Sequence, residues 1–580
     1  MRGDDNLRVR LGRVRDQGRA RRSKPFIAQA LAAAQRAGGF KHRSAHSVRG
    51  STFGRGRSAS FAAAHRMTGR SRNVAVKARV VRHGRQQTPL RTHLEYLRRE
   101  GVTKDNAPGR MFDGERHGAD HKAFAERCEG DRHHFRFIVS PEDAEQLSDL
   151  KTFTRDLMGE AERDLGTKLD WIAAEHWNTD NPHIHVIVRG VADDGRDLVI
   201  SRDYISEGLR ARAGHLVTLE LGPRNDLEVR RRLNAEIDSD RWTGLDRALA
   251  AEAARHDRIV DLRPESDHTL DGDIRSALVG RMRKLERLGL AEPLGSARWY
   301  LSERTESTLR ALGERSDIIK RIHRGLAELR IERGIGDYAL EGGDPAKPII
   351  GRLIARGLDD ELRGTAYAVI DATDGRTHHV RLSDLDATSD GAPGAIVELR
   401  RFQDSRGRDR TAIAVRSDLP LAAQVESTGA TWLDRQLLAR EPKALGSGGF
   451  GLEVQQAMNA RAKHLIRENL ARHEGQRIIF ARSLLDTLRR RELDQAAARV
   501  AADSGLPYHP ATDGDVVTGI YRQRLNLASG RFAMIEDGLG FSLVPWTPSL
   551  EQHLSREVLG IARDGRIEWT FARSRGLGIG

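Results

Sequence analysis

The hydrophobic pattern of residues 76–235 predicts an α+β domain built on an antiparallel sheet. Its strands are predicted from β-branched and apolar runs at residues 74–81, 134–139, 169–177 and 183–188. Leu90, Leu94 and Leu97 recur at helical spacing after Thr88-Pro89, and a longer helix is predicted from Ser140-Pro141 to about Asp164. Because the last two strands form a hairpin, we expect an antiparallel sheet with helices on one face.

The pattern of the remaining chain predicts three further regions. Residues 245–330 are mainly helical, with a glycine turn and short strands after the helix, which is typical of a winged helix. Residues 340–420 contain short strands with Asp and Gly turns, which predict a small β-barrel-like domain. Residues 431–580 begin with amphipathic helices and end in strands, which predicts a helical segment and then a β-rich domain. Winged helices bind either DNA or protein, so the partner of residues 245–330 stays open.

The candidate chemistry lies in the hairpin whose second strand begins at His183. His183 and His185 are two residues apart and therefore project from the same face of a strand. A loop with an even number of residues would place His176 on that face too, opposite either His183 or His185, whereas an odd number would turn it away. A His-x-His pair alone is more often an ordinary half-buried pair. Three imidazoles, however, can hold a divalent cation with open positions for a substrate oxygen, so metal ligation is the favoured interpretation.

This spacing, His-(six residues)-His-hydrophobe-His with Asn181-Pro182 before the pair, resembles the metal motif of HUH-type relaxases, the nickases of conjugation. Among them the chain looks most similar to the T-DNA border endonucleases. The resemblance implies that His176, His183 and His185 bind Mg²⁺ or Mn²⁺, and histidine ligands favour Mn²⁺ on chemistry alone. The family often has Asp at the position of Asn178. Here Asp180 keeps a carboxylate in the turn and is the candidate accessory acid.

The resemblance also implies a nucleophilic tyrosine that stays linked to the DNA 5′ end. Five of the seven tyrosines lie beyond the predicted nuclease domain, which leaves Tyr96 and Tyr204. The segment 94–97, Leu-Glu-Tyr-Leu, followed by Arg98 and Arg99, resembles the motif that carries the catalytic tyrosine in T-DNA-type relaxases. On a helix Tyr96 would lie roughly 120° from the leucine face, so we do not expect it to be core. The alternative is a half-exposed surface tyrosine. Arg98 and Arg99 are the candidate DNA-binding residues.

Positive charge is concentrated at the N-terminus. Residues 1–75 contain 18 Lys or Arg and 3 Asp or Glu, whereas the whole chain has a net charge of +14. This segment is too poor in apolar residues to fold, so we expect a disordered arm that either binds phosphates non-specifically or is a solubilising tail. A single cysteine, Cys128, excludes a disulfide framework, and no apolar run approaches the ~18 residues that span a bilayer. These features predict a cytoplasmic protein without a membrane anchor.

The relaxase resemblance implies a site- and strand-specific endonuclease that nicks single-stranded DNA at the transfer origin of a mobile element. It further implies accessory relaxosome proteins, a type IV secretion coupling protein, and export of the protein covalently bound to DNA. From about residue 245 onward, the chain resembles an uncharacterised C-terminal region often fused to such relaxases. A rolling-circle replication initiator shares this chemistry. Two alternatives of other classes are a non-catalytic DNA-binding regulatory protein with structural histidines, and a zinc hydrolase of small substrates, which the basic arm disfavours.

Overall fold

The chain forms two compact units, residues 1–235 and 236–580. The computed structural model describes residues 70–83, 90–100, 103–104, 107, 109–177, 181–264, 271–340, 348–360, 362–404, 407–442, 444–563 and 565–571, with only the backbone of Arg99 and Glu100. Most of the predicted basic arm, and the predicted helix start at Thr88-Pro89, therefore lie outside the described residues. No helix among the described residues is long and apolar enough to cross a bilayer.

The first unit contains a four-stranded antiparallel sheet in the order β1-β2-β4-β3, so the prediction of an α+β fold on an antiparallel sheet is confirmed. The strands are β1 (Val74–Arg82), β2 (His133–Pro141), β3 (Trp171–His176) and β4 (His183–Arg189). The helices are α1 (Leu90–Glu100), α2 (His121–Arg127), α3 (Leu150–Leu165), α4 (Leu209–Leu221), which follows a π-helical turn at Tyr204–Gly208, and α5 (Asp226–Asp238), within which the unit ends.

The prediction that helices cover one face of this sheet is wrong, because helices pack on both faces. Ile184 and Val186 belong to a hydrophobic core shared with α3 and α4. On the opposite face, Ile172, Ala174 and Ile187 belong to a second core shared with α1 and α2. This second face combines histidines with only a few large apolar residues, so the sequence pattern did not reveal that it is buried.

The helix predicted from Ser140-Pro141 begins later than expected. β2 continues to Pro141, and only a 3₁₀ turn follows, at Ala144–Gln146. The carboxylate of Asp149 accepts hydrogen bonds from the backbone amides of Lys151 and Thr152, and α3 begins directly after it. An N-cap of this kind satisfies amides that have no partner within the helix, so it determines where the helix starts.

The second unit begins with helices and a three-stranded antiparallel sheet in the order β5-β7-β6. The helices are α6 (Gly244–Arg255), α7 (Gly272–Arg287) and α8 (Thr305–Glu328), and the strands are β5 (Ile259–Asp261), β6 (Ala291–Gly295) and β7 (Arg298–Leu301). A β-hairpin thus connects α7 with α8.

A six-stranded sheet follows, in the order β13-β12-β9-β10-β11-β8. Its strands are β8 (Tyr338–Ala339), β9 (Ile350–Asp360), β10 (Thr365–Ala372), β11 (Thr377–Leu382), β12 (Ile396–Gln403) and β13 (Asp409–Ser417). The predicted small barrel is corrected to an open sheet: in the described part of the chain β13 and β8 are its edges. The two residues of β8 pair in parallel with β11 and occupy that edge.

The last part of the chain again places a hairpin between helices and then forms a sheet. The helices are α9 (Leu421–Val425), α10 (Trp432–Leu437), α11 (Gly449–Arg467) and α12 (Leu484–Ser504), and the hairpin is β14 (Ala471–Glu474) with β15 (Arg477–Phe480). The final sheet is antiparallel and has the order β18-β17-β16-β19-β20. Its strands are β16 (Val516–Leu527), β17 (Gly530–Glu536), β18 (Phe541–Pro545), β19 (Glu557–Arg563) and β20 (Arg566–Thr570).

Candidate metal centre

The register of the β3–β4 hairpin brings three histidines together. His176 lies directly opposite His183, and Ala174 lies opposite His185. This is one of the two even arrangements considered from the sequence. Residues opposite one another in an antiparallel pair share a face, so all three imidazoles project from the same side of the sheet.

The three side chains form one compact buried cluster. His176, His183 and His185 are 4%, 8% and 4% exposed, and each offers a ring nitrogen within 4.8 Å of those of the other two. The ring centroids are 4.6 to 5.4 Å apart. A group of this kind can hold a metal ion, because three imidazole nitrogens converge while water is largely excluded.

A backbone carbonyl orients one of the imidazoles. The Nδ1 atom of His183 lies 2.9 Å from the carbonyl oxygen of Asn181, to which it donates. Because a neutral imidazole carries one proton, Nε2 of His183 then presents a lone pair. This Nε2 lies 3.1 Å from Nε2 of His185. Two nitrogens bound at 2.1 Å would be ~3.0 Å apart at a right angle and ~3.4 Å apart in a tetrahedron, so the pair fits neighbouring ligands of one cation.

The turn between the two strands contains the predicted accessory acid. Asp180 and Asn178 both lie outside the described residues, so the structure does not place the carboxylate relative to the histidines. Among the acidic residues that the structure describes, Glu175 is the nearest in sequence to this turn. It is buried, projects from the opposite face of β3, and forms an ion pair of 3.1 Å with Lys151.

Two basic residues that were not singled out from the sequence lie on the histidine-bearing face. Lys77 of β1 is opposite Ile138 of β2, and Ile138 is opposite His185 of β4, so these three form one row across the sheet. Lys77 and Arg79 are exposed and share this face. Two strand spacings separate Lys77 from His185, which is about 10 Å. The alternation Val-Lys-Ala-Arg-Val at residues 76–80 was the signal that could have identified them.

α1 carries Tyr96 to the same face. Leu94 and Leu97 are fully buried in the core that includes Ala174 and Ile187 of the histidine-bearing face. Tyr96 is partly buried and packs at the edge of this core. The helix therefore holds the phenol on the side of the sheet where the imidazoles project.

The residues next to Tyr96 form a small polar network. Nε2 of His121 donates to the Glu95 carboxylate at 2.9 Å, and the exposed side chain of Arg98 donates to it at 3.2 Å. The hydrogen bond from His121 is the largest cause that lowers the pKa of Glu95. The side chain of Arg99 lies outside the described residues. Sequence reasoning also missed His93, which is 5% exposed and lies between the leucine face and Tyr96 around the helix.

Tyr204, the other tyrosine of the first unit considered as a nucleophile, is built into the core on the opposite face. Its hydroxyl donates to the Asp164 carboxylate at 2.9 Å, and Arg212 donates to the same carboxylate through Nε and Nη2. Burial is the largest cause that raises the pKa of Tyr204 far above its usual range, and the charge of Asp164 adds to it. A phenol in this setting is a structural hydrogen-bond donor.

Comparisons with known proteins concern the second unit. No curated protein and no solved structure matches the chain. A family model described as a protein of unknown function, DUF3363, matches residues 278–415 and 400–578. These segments cover slightly more than half of the chain and follow the three histidines and Tyr96 in sequence. The chain therefore belongs to the DUF3363 family of proteins of unknown function.

Proposed function

We propose that the first unit is a metal-dependent endonuclease that nicks single-stranded DNA by transesterification onto a tyrosine. The observation that carries the proposal is the buried cluster of His176, His183 and His185 on the sheet face where α1 holds Tyr96. Metal ligands and a candidate nucleophile on one face are what the relaxase-like motifs of the sequence predict. Tyr204 lies in the core of the other face and is held by Asp164, so Tyr96 is the better nucleophile.

The three histidines would hold a divalent cation through their ring nitrogens. A bound Mn²⁺ or Mg²⁺ would neutralise charge that develops on the phosphate oxygens. Imidazole ligands favour Mn²⁺ over Mg²⁺, which prefers oxygen, and the relaxase resemblance is the reason to keep both. The carbonyl of Asn181 holds His183 in the tautomer that such a site needs.

The proposed reaction exchanges one phosphoester bond for another. The oxygen of Tyr96 forms a bond with phosphorus while the bond between phosphorus and the 3′ oxygen breaks. The phenol loses its proton, and the departing 3′ oxygen gains one. The products are a phosphotyrosine at the DNA 5′ end and a free 3′ hydroxyl, so no other reactant is consumed and the strand can later be rejoined.

Basic residues near the site would hold the DNA strand. Lys77 and Arg79 lie on the histidine-bearing face, and the exposed Arg98 lies two residues after Tyr96. Phosphate contacts of this type position a strand without reading its bases. By resemblance, the substrate would be the transfer origin of a mobile element. The partners would be accessory relaxosome proteins and a type IV secretion coupling protein.

A covalent-trapping experiment tests the proposal. The full chain is incubated with Mn²⁺ or Mg²⁺ and end-labelled single-stranded oligonucleotides tiled across the DNA that surrounds its own gene. We expect one tile to give a band that survives denaturation and migrates with the protein. The band should disappear with chelator and with Tyr96→Phe. No band from any tile, or a band that persists in chelator, would contradict the proposal. A band that forms only at a replication origin would instead indicate a rolling-circle initiator.

A further inference from the structure

The second unit contains the same architecture twice. In the first copy, helices α6 and α7 are followed by the β6–β7 hairpin, helix α8 and strands β9 to β13. In the second copy, helices α10 and α11 are followed by the β14–β15 hairpin, helix α12 and strands β16 to β20. Counted along the chain within each copy, the five strands lie in the order fifth, fourth, first, second, third in both sheets. A 3₁₀ turn separates the third and fourth strands in each copy, at Asp386–Thr388 and Pro548–His553.

Each copy contains the same buried ion pair. Arg281 donates to Asp246 through Nε at 2.8 Å and Nη2 at 2.9 Å, and Arg461 donates to Asp434 through the same atoms at the same distances. All four side chains are fully buried. Each guanidinium also donates to three backbone carbonyls, which are those of Ile237, Ser239 and Arg241 in the first copy and of Val425, Ser427 and Gly429 in the second.

The aspartate of each pair belongs to a repeated sequence motif. Residues 243–247 and 431–435 both read Thr-x-Leu-Asp-Arg. In both, the threonine is the N-cap of a helix and forms a capping box with the aspartate. Five contacts of one guanidinium and a matching capping box are too specific to arise separately, so we infer that residues 236–580 contain a tandem duplication.

The arginine-bearing helices of the two copies, α7 and α11, can therefore be compared residue by residue. When Arg281 is aligned with Arg461, equivalents are 180 residues apart, and the buried Leu285 and Leu290 match Leu465 and Leu470. The second residue after each helix also matches, because Gly289 and Asn469 both adopt a left-handed conformation, with φ of 69° and 59°. Positions that have the same type of residue in both copies show which features were retained after the duplication.

Two exposed positions have kept a positive charge without a role in packing. Arg283 and Arg287 of α7 correspond to Lys463 and Arg467 of α11, and all four are exposed. None of them takes part in an ion pair within the described residues. Neighbouring positions have diverged, with Glu286 replaced by isoleucine and Leu288 by glutamate at the equivalent positions of the second copy.

We propose that α7 and α11 are two equivalent helices that bind the phosphate backbone of duplex DNA. Each precedes a β-hairpin, and in the first copy the three strands have the order β5-β7-β6, an arrangement that resembles a winged helix. The retained basic residues lie one helical turn apart, about 6 Å, along one edge of each helix. On α11 the exposed amides of Gln456 and Asn459 precede them and suit base edges in a groove. Two copies of one basic helix suit a polymer that repeats its charge along its length.

Charge reversal in the full chain tests this proposal, with chelator present so that no cleavage intervenes. The variants are Arg283→Glu with Arg287→Glu, Lys463→Glu with Arg467→Glu, and all four together. The matched control, Arg556→Glu with Arg566→Glu, makes the same charge change at two exposed residues, one directly before β19 and one at the start of β20. Binding to a random-sequence duplex is measured by fluorescence anisotropy at several salt concentrations, and circular dichroism checks that each variant is folded.

We expect each double variant to weaken binding and to reduce the slope of log affinity against log salt by about 2, because each phosphate contact contributes about 0.9. The quadruple variant should lose about twice as much, and the control should retain the wild-type slope. Equal slopes for the helix variants and the control would overturn the proposal, as would an effect confined to one copy. The proposal would also be overturned if the helix variants lost binding to duplex RNA while their binding to duplex DNA was unaffected. None of these outcomes depends on whether the first unit cuts DNA.

Discussion

His176 lies directly across the β3–β4 hairpin from His183, with their ring centroids 5.4 Å apart. This pairing depends on backbone register, because a slip of one residue would turn one of the two side chains to the opposite face. With His185 two residues further along β4, the register collects three imidazoles that are distant from one another on an extended chain.

Removing one imidazole should weaken metal binding. We expect His183→Ala to weaken Mn²⁺ binding by at least tenfold, since even partners that only support a ligand contribute about 10- to 100-fold. The measurement is calorimetric titration of the full chain with Mn²⁺ alone. His117→Ala is the control, because His117 is an exposed histidine of the same unit. Equal affinity in the two variants would remove the basis for a metal centre.

The basic side chains of β1 should hold single-stranded DNA. Lys77→Ala with Arg79→Ala should reduce the salt slope of single-strand binding by about 1.4, because each phosphate contact contributes about 0.7 on single strands. Arg82 is exposed on the same strand but on the opposite face, so Arg82→Ala should leave the slope nearly unchanged. An equal effect from both variants would mean that strand β1 acts only through its net charge.

The buried ion pairs should contribute equally in the two copies. Arg281→Met leaves Asp246 buried without its partner, which typically costs about 3–5 kcal/mol, and Arg461→Met should do the same to Asp434. Replacing both partners, as in Arg281→Met with Asp246→Leu, should cost less, because no buried charge remains. Urea unfolding provides the measurement, with the exposed Arg283→Met as the control. A small loss of unfolding free energy at one site and a large loss at the other would argue against two equivalent copies.

Acid should destabilise the second unit through His379. This side chain is 1% exposed and stacks on Tyr367 with ring centroids 5.4 Å apart. Burial, followed by the charge of Arg321, lowers its pKa to about 4, whereas an unfolded histidine titrates near 6.5. The unfolded state therefore binds more protons between these values, so this contribution to stability is complete above about pH 6.5 and is lost as the pH falls towards 4.

The variant His379→Phe keeps a ring for stacking and should flatten the loss of stability between pH 6.5 and 4. His473→Phe changes an exposed histidine of the same unit and should retain the wild-type slope. Thermal midpoints recorded across this range provide the comparison. If His379→Phe and the wild type lose stability in parallel, another group is responsible.

Local sequence patterns were sufficient to predict the strands of the first unit and the two possible registers for His176. They could not show that α1 packs on the histidine-bearing face, because that depends on how Leu94 and Leu97 meet residues some 80 positions later. The turn chemistry of Ser140-Pro141 suggested a helix start, but pairing with β1 keeps this segment in a strand. Tertiary pairing prevailed over the local signal.

The duplication is partly visible in the sequence and was nevertheless missed. The two Thr-x-Leu-Asp-Arg segments are a short repeat, but a five-residue match has low specificity in a long chain. The match indicates a duplication only together with Arg281 and Arg461, which are 35 and 27 residues from the aspartates that they bind. Because these separations differ, no single sequence period aligns the complete copies. Only the contacts show that the arginines are equivalent.

The identity of the residue that becomes attached to DNA tests the proposed nicking reaction most sharply. Tyr96→Phe removes one oxygen and keeps the ring, so the helix should stay packed while nicking and the covalent adduct disappear together. Tyr204→Phe removes the hydroxyl that is bound to Asp164 and should still form the adduct. Proteolysis of the trapped wild-type adduct, followed by mass spectrometry, should identify one DNA-linked peptide that contains Tyr96. A DNA-linked peptide that contains Tyr204, or any residue other than Tyr96, would contradict the account.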